Sequence, residues 1–155
     1  MKKSPLILIK PMYIDLSSLN YAFQTKPLLI GGMAMEYYGL RKSGADIDFV
    51  LTSADYVSLA KKHPDHLKDL YGDLGVCVGL FELWRTIMLF GYDFLADRAL
   101  EEETYRVISL EKLLFLKTLG ISVPKYEQDV RLLVQKIGDI QYGKDKQFGA
   151  NHFVR

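Results

Sequence analysis

The stretch LLIGGMAMEYYGLRKSGADIDFVL, from Leu28 to Leu51, constrains the fold more than any other part of the chain. A short apolar run ends in Gly31 and Gly32, a helical pattern follows, and a second apolar run carries Asp46 and Asp48. Breakers on both sides of PLLIGG predict a buried strand. Residues 33–40 then predict a helix, with Gly39 near its C-terminus. Ile47, Phe49 and Leu51 alternate with Asp46, Asp48 and Val50, which predicts a second strand. A strand serving only as core would carry no pair of carboxylates.

The rest of the chain continues the alternation of elements. Residues 11–24 predict a short helix with loose ends. Ser53 is a natural N-cap for a helix over ADYVSLAKK, which Pro64 closes. GVCVGLFEL and RTIMLFGYDFLAD predict two further strands, rich in β-branched and aromatic residues. From Ser109 the apolar spacing becomes helical, and SLEKLLFLKTLG predicts a helix ended by Gly120. After Pro124, the positions Val130, Leu133, Val134 and Ile137 mark a last helix. The expected fold is α/β (α+β): a small mixed β-sheet with helices, plus two C-terminal helices packed on it. It is read as a single domain over residues 1–155, with a core at 25–97, C-terminal helices at 109–137 and a flexible tail at 138–155.

Composition excludes several classes. The 155 residues suffice for one well-cored domain. A formal net charge of +1 exerts no global pull on nucleic acid or membrane, so any polyanion site must be local. Cys77 stands alone, which excludes an internal disulfide and a Cys-rich zinc site. Leu6 to Ile9, with Lys10 and Pro11 behind them, are too short a run for a signal peptide. No apolar run is long enough to span a bilayer. A soluble, cytoplasmic protein with no membrane partner is expected.

Asp46 and Asp48, at i and i+2 of a strand, point to one face with Cα atoms ~7 Å apart. Carboxylates so placed repel one another unless a proton or cation intervenes. They suit a hard divalent ion such as Mg²⁺; the plain alternative is a solvated strand face. Gly31 and Gly32 lie where a strand gives way to a helix, whose free N–H groups attract an anion. Glycine there lets a phosphate approach the backbone, and a tight turn is the alternative. Asp93, flanked by aromatic and apolar residues in a predicted strand, is the candidate third acid. Asp97, at that strand's end, is its competitor. His63, His66 and His152 sit scattered in polar segments and do not read as metal ligands. KKHPDHLKD reads as a solvated loop, and Cys77 as a small buried hydrophobe.

Gly31-Gly32, the thirteen residues that follow, and Asp46-Ile47-Asp48 resemble the nucleotidyltransferase superfamily with the DNA polymerase β-type core. YYGLRKSGADIDFV is similar to a stretch in small bacterial members of that superfamily. SLEKLLFLKTLG and KYEQDVRLL are similar to their C-terminal helices, although here Lys125 precedes Tyr126 and the acid comes at Asp129. The likeness covers residues 28–137 and is nearest to the nucleotidyltransferase toxins of type IV toxin–antitoxin and abortive-infection systems.

The resemblance implies a metal-dependent nucleotidyltransferase. Mg²⁺ (or Mn²⁺) would be held by Asp46, Asp48 and Asp93, which are also the implied catalytic residues. The triphosphate of an NTP such as ATP would rest at Gly31 and Gly32, with Arg41, Lys42, Ser43 and Lys117 near it. Lys117 has a second reading, as a lysine snorkelling at the end of an apolar stripe. The implied reaction is attack of an acceptor hydroxyl on the α-phosphate, with pyrophosphate leaving. The acceptor would be a protein, an RNA such as tRNA, or a small molecule, and a toxin would have a cognate antitoxin as partner. The alternative is a non-catalytic, antitoxin-like module that binds a nucleotide or a partner.

Overall fold

In the computed structural model, which describes residues 13–143, the first apolar run forms strand β1 (Leu28–Ile30), buried at every position. Helix α1 (Gly31–Tyr37) starts directly on it. Strand β2 (Ile47–Val50) returns antiparallel to β1, with Leu28 opposite Val50 and Ile30 opposite Asp48. Helix α2 (Ser53–Lys62) is capped by Thr52 rather than Ser53. The Thr52 Oγ1 accepts the Asp55 N–H at 3.2 Å, and Ser53 is already helical.

Three strands then form an antiparallel meander: β3 (Leu67–Leu70), β4 (Asp73–Val78) and β5 (Phe81–Trp84). β5 lies parallel to β2, with Asp48 opposite Glu82 and Val50 opposite Trp84. A hairpin of β6 (Thr86–Ile87) and β7 (Phe90–Gly91) leads into α3 (Tyr92–Leu95). β8 (Leu100–Glu101) and β9 (Arg106–Val107) complete the strands, and β9 runs parallel to β1. The main sheet has the order β3-β4-β5-β2-β1-β9-β8. Helices α4 (Leu110–Leu119) and α5 (Pro124–Tyr142) follow. The fold is mixed α/β, as the alternating sequence pattern implies.

Leu29, Phe49, Leu83, Val76 and Val107 are fully buried on adjacent strands, and β1 and β2 are read as near-continuous apolar runs because inner strands bury both faces. Before β1, Asp55 of α2 anchors the chain. Its carboxylate accepts the Tyr21 hydroxyl at 2.7 Å and the backbone N–H groups of Gln24 and Thr25, each at 3.1 Å.

Five further sequence expectations change. GVCVGLFEL is not one strand but β4 and β5, joined by a turn in which Gly79 takes φ +58°. RTIMLFGYDFLAD is the β6–β7 hairpin followed by α3. The cause is Asp73, whose carboxylate accepts Thr86 Oγ1 at 2.6 Å and the N–H groups of Met88 and Leu89 at 2.7 and 2.8 Å. That clamp holds Met88 and Leu89 in left-handed turn conformations, with φ of +50° and +66°. Within the expected helix at 11–24, the described residues hold only a 3-10 turn at Ser17–Leu19; Pro11 and Met12 lie outside them. The last helix extends to Tyr142, so 138–142 is helical; the remainder of the expected tail, and His152, lie outside the described residues. KKHPDHLKD also holds the start of β3, whose four residues are all exposed.

Candidate active site

The β2–β5 register brings two carboxylates side by side, Asp48 on the central strand and Glu82 on its parallel neighbour. They share one sheet face with Trp84, because β-strand side chains alternate with period two. Burial, then the hydrogen bond and charge of Glu82, push the Asp48 carboxyl from 3.8 up to about 7, and Asp46 adds to this. A hydrogen bond from the Trp84 indole works in the other direction. Glu82 is held below its ordinary value, chiefly because the Asp48 carboxyl bonds to it, with Lys68 helping at 3.1 Å. Of the two, Asp48 is thus the acid that keeps its proton to higher pH and Glu82 the one that ionises first.

Gly31 closes one side of this pair. Its φ is +69°, a left-handed conformation that costs a residue with a Cβ, and a Cβ there would stand 2.8 Å from Asp48 Oδ2. Gly32 faces elsewhere: a Cβ on it would stand 3.0 Å from Ser43 Oγ and 3.5 Å from Arg41 Nη1. The first glycine therefore makes room for the carboxylate, and the second for the loop after α1.

Helix α4 contributes Lys117, whose side chain is 7% exposed. A cavity of about 320 Å³ counts Gly31, Asp48, Glu82 and Lys117 among its lining residues. Lys117 Nζ reaches Asp129 Oδ2 of α5 at 3.0 Å and lies 4.5 Å from the centre of the Tyr126 ring. Arg41 grips the same carboxylate twice, Nε to Oδ1 at 2.6 Å and Nη2 to Oδ2 at 2.8 Å. Burial pushes Asp129 up, but Arg41 and Lys117 outweigh it and hold the carboxyl below its ordinary value. Burial lowers Lys117 despite the partial compensation from Asp129. Two cations thus share one anion, and of the two it is Lys117 that also lines the cavity of the acid pair.

The sequence candidates distribute as follows. Asp48, Gly31 and Lys117 meet at one cavity. Asp46 directly precedes β2 and is exposed, and its charge reaches Asp48. Arg41 and Ser43 border Gly32; the Ser43 N–H donates to Glu36 Oε1 at 2.9 Å and its hydroxyl to the Gly44 carbonyl at 2.9 Å. Lys42 is exposed, and its carbonyl accepts from Arg41 Nη1 at 3.0 Å.

Asp93 does not join them. Gly91 ends β7, Tyr92 turns inward so that its hydroxyl donates to the Lys26 carbonyl at 2.7 Å, and Asp93 comes out exposed in the first turn of α3. It lines a different cavity, of about 620 Å³, with Ser53 and Arg85. Asp97 is exposed beyond α3. Among the described residues, no group of three or more His, Cys, Asp or Glu side chains is arranged to hold a metal ion.

The carboxylate that does meet Asp48 is Glu82. Its sequence signal is the one applied to Asp93, an acid between apolar residues in a strand, here in Phe81-Glu82-Leu83. Asp129 is the other residue the sequence left without a role. No family model, curated protein or solved structure matches the chain.

Proposed function

We propose that this cavity binds a nucleoside triphosphate with a divalent cation and transfers its nucleoside monophosphate to an acceptor hydroxyl. The observation carrying the reading is the Asp48–Glu82 pair beside Gly31, with Lys117 across the same cavity. Two carboxylates that hold a proton between them are a place where a divalent cation can take the proton's role. Mg²⁺ is commonly held by one or two protein carboxylates together with substrate phosphates, so the pair fits it without a complete cage. Asp48 and Glu82 would hold the ion, with Asp46 within reach of the same face. When bound, the ion neutralises phosphate charge and polarises the phosphoryl oxygen.

The chain's own residues supply the rest. Gly31 allows phosphate oxygens to approach the backbone without a Cβ in the way. Lys117 offers a buried cation to the triphosphate, held in place by Asp129 until the phosphates arrive. In the transfer, the acceptor oxygen bonds to the α-phosphorus as the bond to the bridging oxygen breaks. Pyrophosphate leaves, and the hydroxyl proton passes to a carboxylate of the acid set. The acceptor is a protein, an RNA or a small molecule, and a role as the toxin of a toxin–antitoxin pair belongs to the same reading.

One observation favours the non-catalytic alternative. Asp48 and Glu82 with a shared proton also form a self-sufficient structural pair, and among the described residues no group of three or more His, Cys, Asp or Glu is arranged there to hold a metal ion. In that case the protein is a nucleotide- or partner-binding module. The experiment that separates the two incubates the full chain with Mg²⁺, each of the four α-labelled NTPs and cell lysate. Transfer of label that requires Mg²⁺ and disappears in Glu82→Gln supports the enzyme. Nucleotide binding without transfer supports the module.

A further inference from the structure

We propose that the apolar lining of the same cavity is a subsite for a flat heteroaromatic base, held by shape and ring contact. The site would thus accept all four nucleotides with near-equal affinity. This rests on the nucleotide reading above. Besides Asp48, Glu82 and Lys117, the cavity is lined by Trp84, Ile87, Met88, Leu116, Leu119 and Tyr126. Among its described lining residues there is no Asn, Gln, Ser, Thr, Arg or His side chain. The indole N–H of Trp84 favours the ionised Asp48 carboxylate. Lys117 is committed to Asp129. The wall therefore offers area and few hydrogen-bonding groups, the Tyr126 hydroxyl and the Glu82 carboxylate among them, that tell one base edge from another.

Both aromatic walls depend on a missing Cβ. Gly75 lies opposite Trp84 in the β4–β5 register, and a Cβ there would stand 2.7 Å from the indole ring. A Cβ on Gly120 would collide with the Tyr126 ring. Each ring is therefore laid close against backbone, and both line the one cavity. Its rim is reachable from solvent, since Met88 and Leu119 are 57% and 40% exposed. Ring–base contact of this kind is sequence-tolerant because every base has a π-face.

Trp84 is the sole tryptophan, so its emission reports binding at this wall. The full chain is titrated in Mg²⁺ with ATP, GTP, CTP, UTP and tripolyphosphate. The subsite predicts that each nucleotide binds about tenfold or more tighter than tripolyphosphate, with the four within about threefold of one another. Leu119→Ala, at an exposed position, should weaken the nucleotides and leave tripolyphosphate unchanged. Equal affinity for nucleotides and tripolyphosphate overturns the subsite but leaves the triphosphate reading standing. A preference for one base by about a hundredfold overturns recognition by shape alone. Binding of neither class overturns both.

Discussion

Replacing Asp48 with asparagine keeps an N–H donor for Glu82 and removes the second carboxylate from the pair. The parent's Asp48 is pushed from 3.8 to about 7 by burial, then by Glu82. Below 3.8 the folded and unfolded chains both keep the proton, and Asp48 costs nothing. Between 3.8 and about 7 the unfolded chain releases its proton while the folded chain retains it, so stability falls as pH rises. Above about 7 the cost is complete. Glu82 has a lowered value, so its contribution is present above its ordinary 4.5 and is lost only toward more acid pH. From pH 5 to pH 8 the change belongs to Asp48. At ~1.4 kcal/mol per pH unit over about two units, the parent should lose about 2 to 3 kcal/mol relative to Asp48→Asn. Urea denaturation of both proteins at pH 5 and pH 8 in a chelator measures it, because other titrations cancel in the difference. Saturating Mg²⁺ at pH 8 should restore the parent, by ~2.7 kcal/mol at a hundred times Kd, and leave the variant unmoved. A parent–variant difference that is the same at both pH values would refute the shared-proton reasoning.

Asp129→Ala leaves Lys117 buried without its counter-ion and frees Arg41, so it should cost about 3 to 5 kcal/mol in the urea midpoint; a loss under about 1 kcal/mol would mean that Asp129 holds neither cation in solution. Gly31→Ala meets both the left-handed φ and the Asp48 carboxylate, and should cost about 1 to 2 kcal/mol and abolish the Mg²⁺-induced rise in Tm; an unchanged Tm and metal response would contradict the close approach. Asp55→Ala strands the Tyr21 hydroxyl and two backbone donors, and should cost about 2 to 4 kcal/mol without altering nucleotide binding in the folded fraction; hydrogen exchange at Gln24 and Thr25 should accelerate.

The sequence was most legible where one force acted alone. Leu28–Ile30, the alternation around Asp46 and Asp48, and the Ser109-capped helix α4 follow from apolar spacing and breakers. β3 was illegible because all four of its residues are exposed and carry no apolar alternation. The β6–β7 hairpin was illegible because the Asp73 side chain, thirteen residues before Thr86, imposes it. The same hidden tie misplaced Asp93, since reading 85–97 as one strand put that acid in a core it never enters. Asp46 and Asp48 were visible as an i, i+2 pair, whereas Glu82 became a partner only through the β2–β5 register. Parallel pairing between strands thirty-odd residues apart leaves no local mark. Lys117 was legible as a candidate, but the carboxylate that buries it comes from a different helix.

The acid set is tested most directly by Mn²⁺ binding in the presence of an NTP, followed as loss of the free-ion electron paramagnetic resonance signal. The comparison is between the parent, Glu82→Gln and Asp93→Asn, and it needs no knowledge of the acceptor. If Asp48 and Glu82 hold the ion, the parent binds it, Glu82→Gln weakens binding by about tenfold or more, and Asp93→Asn matches the parent. Binding that survives Glu82→Gln and fails in Asp93→Asn, or a parent that takes up no Mn²⁺ with any NTP, would contradict the account.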